Sequence, residues 1–206
     1  MDKYIPTLVA SLLLANVSTA WAASNTDLNV TGLITPNACT PGLSDGGTID
    51  HGKLAARDLN PESSTQLPRH SMRLSVRCEG STFFALTTVD NREGTSMSNR
   101  HHGLGMTPND EKLGSVALGL TNPVADNTAV RTILSLDGGA TWVASSYLGH
   151  TGLLAVASVD NTTQPIAVKE LDADIGLSTR IARADGLTLI DEVPIDGHVT
   201  VELRYL

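Results

Sequence analysis

The chain has 206 residues, of which 41% are hydrophobic and only 3% aromatic, and its formal net charge is −8. Acidic residues outnumber basic ones by 22 to 14 without any basic cluster, so we do not expect nucleic acid as a partner. The scarcity of aromatic side chains leaves few stacking platforms for sugars or bases, and the core has to be built from Leu, Val, Ile and Ala.

The N-terminus has the layout of a secretory signal peptide. An apolar run over residues 5–15 is too short to cross a bilayer, and Ala20 and Ala22 then occupy the two positions that signal peptidase reads. We expect residues 1–22 to be removed and residues 23–206 to be exported as a single domain. A buried N-terminal helix is the alternative. No later apolar stretch approaches membrane-spanning length, so no membrane span is expected.

The chain has two cysteines, Cys39 and Cys78, and both follow the expected signal peptide. In an oxidising compartment two such cysteines usually pair, which favours a structural disulfide. The alternatives are a free buried thiol pair and a metal site, which two cysteines alone do not complete.

Alternation of apolar and polar residues with a period of two predicts an all-β protein. The alternation is clearest over residues 72–78, 171–181 and 199–205. Further strands are predicted over residues 28–34, 83–89, 115–120, 130–136, 153–159 and 165–169, with a weaker one over 187–190. Short strands separated by turns rich in Asp, Asn and Gly, such as Asp45-Gly46-Gly47, are typical of a sandwich or barrel. Residues 90–109 lack periodicity and are predicted to form a long exposed loop.

No motif of a catalytic or metal site is present, so we expect neither an enzyme nor a cofactor. His101 and His102 are adjacent, but neighbours in an extended chain point in opposite directions, which disfavours a shared metal. Asp172 and Asp174 lie on one side of a predicted strand and are interpreted as its solvated face rather than as a pair for acid–base catalysis. Trp142 is interpreted as a core or hairpin residue in preference to a sugar platform.

Residues 30–39, Val-Thr-Gly-Leu-Ile-Thr-Pro-Asn-Ala-Cys, resemble the first strand of chaperone-usher pilins, which read V-x-G-x-I before the first cysteine. The spacing of the cysteines, the segment Ile49-Asp50-His51-Gly52 and the penultimate Tyr205 are also similar to that group. Within it the chain is most similar to the pilin-like periplasmic proteins of the GltF type, a family of poorly defined function.

The resemblance implies an immunoglobulin-like sandwich that lacks its final strand and serves as a non-enzymatic structural or assembly subunit of a fimbria. The implied partners are a periplasmic pilus chaperone, an usher and other fimbrial subunits. The implied localisation is the periplasm or the cell surface. The inward residues of the last strand would line a groove that accepts a donor strand. These residues are Val199, Val201, Leu203 and Tyr205.

The segment before the first strand is shorter than in pilins that pass a donor strand onward. Only residues 23–27 lie between the expected cleavage site and that strand. Such a chain would accept a strand rather than supply one. Two alternatives stay open. The last strand could close a complete sandwich, and the protein could be a tip adhesin or a periplasmic ligand-binding sandwich whose loops, including residues 90–109, hold the ligand.

Overall fold

A computed structural model describes residues 38–206, and the expected signal peptide and the strand predicted over residues 28–34 lie outside this range. The strands of the described range are β1 (Cys39–Leu43), β2 (Thr65–Gln66), β3 (His70–Thr82), β4 (Phe84–Asp90), β5 (His102–Gly103), β6 (Gly114–Ala125), β7 (Thr128–Ala129), β8 (Arg131–Ser135), β9 (Val143–Ala144), β10 (Tyr147–Leu148), β11 (Leu153–Ala157), β12 (Val168–Ile181) and β13 (Val199–Tyr205). Short 3₁₀ helices occur at Ser44–Gly47, Ala56–Asp58 and Ala184–Gly186. None of the helices in this range is long and apolar enough to cross a membrane.

The strands form two sheets whose pairings, within the described residues, are all antiparallel. Sheet A has the order β1-β3-β12-β6-β10, with β2 paired to β12 and with β5 and β7 paired to β6. Sheet B has the order β13-β4-β11-β8-β9. The sequence prediction of an all-β, sandwich-like protein is therefore confirmed.

One apolar core joins the facing sides of the two sheets. Leu74, Leu120 and Leu171 of sheet A belong to the same buried cluster as Leu86 and Leu154 of sheet B, and each is at most 2% exposed. Buried and less buried residues alternate along β3 and β12 of sheet A, as the sequence predicted, whereas β4 and β11 of sheet B are buried on both faces. Aliphatic side chains supply most of this core, as the composition required.

Cys39 and Cys78 form a disulfide, which confirms the predicted pairing. The two cysteines are register partners in the antiparallel ladder between β1 and β3. The bond therefore fastens an edge strand of sheet A to its neighbour.

A second, smaller cluster covers the outer face of sheet B. Ala85, Ile133, Ala155 and Ala157 are each at most 3% exposed, and Trp142, at 9%, belongs to the same cluster. The indole Nε1–H of Trp142 donates to the carbonyl of Gly139 at 3.0 Å. Trp142 is thus a hairpin residue packed on small side chains.

Two predicted strands near the C-terminus take another form in the structure. Residues 165–169 are not a separate strand, because β12 already begins at Val168. Residues 187–190 form no strand, since Thr188 is held by Glu111: its backbone N–H and its hydroxyl donate to that carboxylate at 2.6 and 2.8 Å. A local side-chain contact replaces sheet pairing there.

The prediction of a long exposed loop over residues 90–109 is wrong for its second half. It contains β5, where His102 is completely buried, and Leu104 is only 3% exposed. The imidazole Nε2 of His102 is 2.7 Å from the hydroxyl of Thr88 on β4. The buried part of this segment is thus held by a polar contact with sheet B. Hydrophobic periodicity in the sequence does not indicate such a contact.

Candidate binding groove beside the last strand

The last strand, β13, lies at one edge of sheet B. It pairs with β4 along all seven of its residues, from Val199 opposite Asp90 to Tyr205 opposite Phe84. Within residues 38–206 no strand pairs with its other side. An edge of this kind presents a row of backbone N–H and C=O groups to an incoming chain.

The edge strand of sheet A, β1, lies on the same side of the molecule as β13. The backbone N–H of Cys39 donates to the phenol oxygen of Tyr205 at 2.9 Å, so the start of β1 meets the end of β13. This contact bridges the two sheets at one end of their open side. The open side continues from there toward Val199, at the start of β13.

The side chains of β13 alternate as the sequence predicts. Val199, Val201 and Leu203 are partly buried and pack against the main core, whereas Thr200 and Arg204 on the other face are exposed. Tyr205 is 40% exposed and makes the hydroxyl contact with Cys39 instead of entering the core.

A cavity of about 170 Å³ lies between the first half of β13 and the inner face of sheet A. Val199 and Val201 form its wall on the side of sheet B, and Ile175, Leu177 and Thr179 of β12 face them. The remaining walls are mainly aliphatic and include Leu43, Met72, Val116 and Leu118. We call this cavity, together with the open edge of β13, the groove. Its walls suit apolar side chains presented by an extended chain.

A tight turn after β1 shapes one rim of the groove. Asp45, Gly46 and Gly47 have φ values of 52°, 62° and 72°, in the left-handed region that glycine adopts without strain. The turn reverses the chain so that both Leu43 before it and Ile49 after it line the groove. The predicted turn Asp45-Gly46-Gly47 is therefore confirmed.

An ion pair holds the segment that leads into β13. The guanidinium of Arg92 donates to both carboxylate oxygens of Asp196 at 2.8 and 2.9 Å. Those hydrogen bonds hold the pKa of Asp196 below its usual range. The backbone N–H of Asp196 also donates to the carbonyl of Leu104 at 3.1 Å. Leu104 and Ile195 are thereby placed against the groove.

His51 forms a polar point in the otherwise apolar wall. Its Nε2 lies 3.0 Å from the hydroxyl of Thr179, and its ring packs edge-on against His70 with centroids 4.9 Å apart. Burial, assisted by the charge of His70 and opposed by Asp50, lowers the pKa of His51. Its Nδ1 is buried and has no hydrogen-bond partner among the described residues.

The structure uses the other candidate residues for contacts within the sheets. Asp172 accepts two hydrogen bonds from Arg77 at 2.9 Å, and Asp174 accepts one from Asn122 at 3.0 Å. His101 and His102 differ in burial as expected for neighbours on an extended chain, His101 being partly exposed.

Of the four β13 residues predicted to line a groove, Val199 and Val201 line this cavity, whereas Leu203 and Tyr205 do not. The opposite rim was not predicted. Leu43, Ile49, His51, Leu104 and Ile195 all line the groove and lie in or next to irregular segments. Ile49 and His51 belong to the segment that resembles pilins, but nothing in the sequence predicted that they line a groove. Residues 187–190, for which a weak strand was predicted, form no strand and do not line this cavity.

The comparisons with known proteins cover most of the chain at low identity. A family described as "Protein of unknown function (DUF1120)" matches residues 28–102. Protein GltF of Escherichia coli strain K12 is 25% identical over 227 aligned positions, which cover 89% of either chain. The chain is similar to proteins of the GltF type. The uncharacterized protein YhcF of the same organism is 24% identical over 221 positions, covering 91% of this chain and 93% of YhcF.

The alignments with GltF and YhcF each cover about nine-tenths of this chain. Sequence identity of 24–25% over most of the chain supports the resemblance to GltF-type proteins. Neither name describes a fimbrial function.

Proposed function

We propose that this protein is a non-enzymatic assembly subunit of a chaperone-usher fimbria that accepts a donor strand along the open edge of β13. The observation that carries the proposal is the seven-residue edge strand with an aliphatic cavity directly beside it. The partners are a periplasmic pilus chaperone, an usher and other fimbrial subunits, and the site of action is the periplasm or the cell surface.

The geometry supports strand addition because backbone and side-chain requirements meet at one place. An added strand would pair with the backbone groups on the outer edge of β13, which have no strand partner in the described part of the chain, as in the donor-strand exchange of pilins. Its alternate side chains would point between the sheets, where Val199 and Val201 face Ile175 and Leu177. Filling the cavity would also remove apolar surface from water.

The edge of β13 also explains why a chaperone would be needed. A strand beside half-buried valines whose outer edge has no partner within residues 38–206 is a site for aggregation between copies. Native edge strands are usually protected by covering segments or by inward-pointing charges, whereas the inward residues of β13 are Val199, Val201 and Leu203. A chaperone strand would provide the cover until a subunit replaces it.

The test is to express the exported chain in a periplasm with and without a pilus chaperone, and to measure soluble yield and complex formation. We expect degradation of the chain alone and a one-to-one complex with the chaperone. Val201→Asp should reduce the recovered complex at least about tenfold, since it places a charge on the apolar wall.

Thr200→Asp is the matched control, because Thr200 is the neighbouring residue and is exposed on the opposite face of β13. It should leave the yield of complex unchanged. If the chain accumulates in the periplasm as a soluble monomer in the same yield with and without the chaperone, the assembly role is wrong. The protein would then be a complete sandwich, and a ligand-binding function would take its place.

A further inference from the structure

The segment that follows β1 and its turn lies across the Val199 end of the groove. Residues 48–58 are irregular apart from the 3₁₀ helix Ala56–Asp58, and we call them the strap. Ile49 and His51 of the strap line the groove together with Val199. Within residues 38–206 no hydrogen bond joins the backbone of the strap to either sheet, so strand pairing does not hold it in place.

Two side chains attach the strap to the sandwich. Ile49 and His51 are the only residues of the strap that are not exposed. Ile49 packs against the main core, and Nε2 of His51 lies 3.0 Å from the hydroxyl of Thr179 on β12. A third contact joins the ammonium of Lys53 to the carboxylate of Glu192, but both side chains are 90% exposed. Ion pairs of this kind contribute little to stability.

The strap has empty space on both sides. A second cavity, of about 660 Å³, lies between residues 49–59 and 189–195, and Ile49 and His51 belong to its walls as well as to those of the groove. Close-packed interiors resist movement, whereas a segment between two cavities can shift without displacing the core. The strap can therefore move while the sandwich stays intact.

The two ends of the strap differ in how firmly they are held. At its start, the turn Asp45-Gly46-Gly47 is free of packing at its centre, since a Cβ built on Gly46 would have no atom within 4 Å. At its end, Leu59 packs against the core, and the carbonyl of Asn60 accepts a hydrogen bond from the backbone N–H of Ala184 at 2.9 Å. Hinges are a few loop residues that absorb changes in φ and ψ, so the glycine turn suits a hinge.

The closed strap leaves one polar atom without a partner. Nδ1 of His51 is buried and has no hydrogen-bond partner within residues 38–206. A buried polar atom without a partner costs free energy, which is recovered when the atom meets water. Opening the strap exposes this nitrogen, which offsets part of the cost of breaking the contact with Thr179.

We infer that the strap is a gate: Ile49 and His51 close the Val199 end of the groove, and an incoming strand has to displace them before its side chains enter. This inference rests on the proposed function. The side chain that the strand places beside Val199 needs the space that Ile49 borders. Strand binding is then limited by the fraction of molecules in which the strap is open, and a strand seated in the groove keeps it open.

Trypsin cleavage reports the opening of the strap. Lys53 and Arg57 are the basic residues of the strap, and both are exposed. Proteolysis needs a local opening of the chain, so its rate follows the open population. Both sites lie between Cys39 and Cys78, so the disulfide keeps the two parts of a cleaved chain together. The exported chain is refolded from urea with its disulfide intact, and cleavage at the two sites is followed by mass spectrometry after reduction.

The probe strand is fluorescein-labelled Thr-Val-Thr-Val-Thr-Val-Thr, which matches the seven residues of β13 and contains no site for trypsin. Near saturation with the probe, we expect trypsin to cleave the strap at least about fivefold faster than in the free chain, the factor that corresponds to losing one hydrogen bond. Cleaving the strap in advance should raise the association rate of the probe, measured by anisotropy, by a similar factor.

A substitution of Thr179 tests the contact that holds the strap closed. Thr179→Val removes the hydroxyl beside His51 and keeps the shape of the side chain. It should raise both the cleavage rate of the free chain and the association rate of the probe about fivefold. Thr87→Val is the matched control, because Thr87 is also buried, donates its hydroxyl to the carbonyl of Gly149 at 3.4 Å and lines neither cavity. It should change neither rate.

The outcomes separate this inference from the proposed function. Binding of the probe without faster cleavage of the strap would overturn the inference and leave strand addition at β13 intact. Equal association rates for the natural, the previously cleaved and the Thr179→Val chains would also overturn it. Absence of probe binding to all three chains would overturn the inference and the proposed function together.

Discussion

His102 is a buried histidine that connects the two sheets. Its ring is fully buried, with Nε2 on the hydroxyl of Thr88 in sheet B and Nδ1 3.4 Å from the carbonyl of Val116 in sheet A. Burial lowers its pKa; the contact with Val116 and the charge of Asp90 oppose this shift, and His150 and His101 add to it. His102 is therefore neutral in the folded protein at neutral pH.

This lowered pKa predicts a loss of stability in mild acid. The unfolded chain takes up a proton at His102 near the ordinary pKa of about 6.5, whereas the folded chain does so only at lower pH. The contribution of neutral His102 to the free energy of unfolding should thus be complete above about pH 6.5. It should decrease as the pH falls below that value. Urea unfolding at pH 8, 7, 6 and 5 measures this dependence.

His102→Gln keeps a side chain that can bond Thr88 but does not titrate. The slope of unfolding free energy against pH should be smaller in this variant than in the natural chain. It does not vanish, because His51 and His101 also have lowered pKa values. Equal slopes in the two proteins would show that His102 does not contribute.

At the scale of elements, the sequence predicts the long strands and misses the short ones. β3, β12 and β13 alternate over seven or more residues, so their periodicity is a strong signal. The two-residue strands β5 and β9 are too short for any period and exist because neighbouring segments hold them. The same holds for the cavity: alternation along β13 places Val199 and Val201 in its wall, whereas no periodicity marks the irregular segments that form its rim.

Gly103 in β5 shows how closely the short elements pack. A Cβ built at this position would lie 2.0 Å from the hydroxyl oxygen of Thr95 and 2.6 Å from the carbonyl of Arg92. We expect Gly103→Ala to lower the free energy of unfolding by about 1–3 kcal/mol, because backbone has to move. Chemical denaturation measures the change.

Gly176→Ala is the matched control on β12. A Cβ there has its nearest neighbour, the carbonyl of Gly119, at 3.8 Å, which is ordinary contact. The substitution should leave stability nearly unchanged or raise it slightly, because alanine reduces the conformational entropy of the unfolded chain. If both variants lose the same stability, the close packing of β5 is not the cause.

At the scale of the whole molecule, the disulfide is the covalent link between segments far apart in sequence. Cys39 and Cys78 are separated by 39 positions, and their bond reduces the number of conformations that the unfolded chain can adopt. Joining β1 to β3 also keeps one rim of the groove in place, because Leu43 is the last residue of β1. The cysteine count and the expected export predicted the bond, but only the structure reveals its place beside the groove.

Replacing both cysteines by alanine should destabilise the fold by about 4 kcal/mol, the loop-closure value for a loop of this length. Equilibrium unfolding in urea of the oxidised natural chain and of the double variant measures the difference. A reducing agent should destabilise the natural chain by a similar amount and leave the double variant unchanged. A double variant as stable as the oxidised chain would contradict this role.

The contact between Cys39 and Tyr205 has a mechanical consequence. A strand seated along β13 and pulled along its axis would load its backbone hydrogen bonds in shear, so that they bear the tension together. Tension reaching the end of β13 would pass through the Tyr205 hydroxyl to the backbone of Cys39, and from there through a covalent bond to β3. If β13 accepts a strand as proposed, its anchorage would therefore depend on oxidation of the cysteines as well as on sheet pairing.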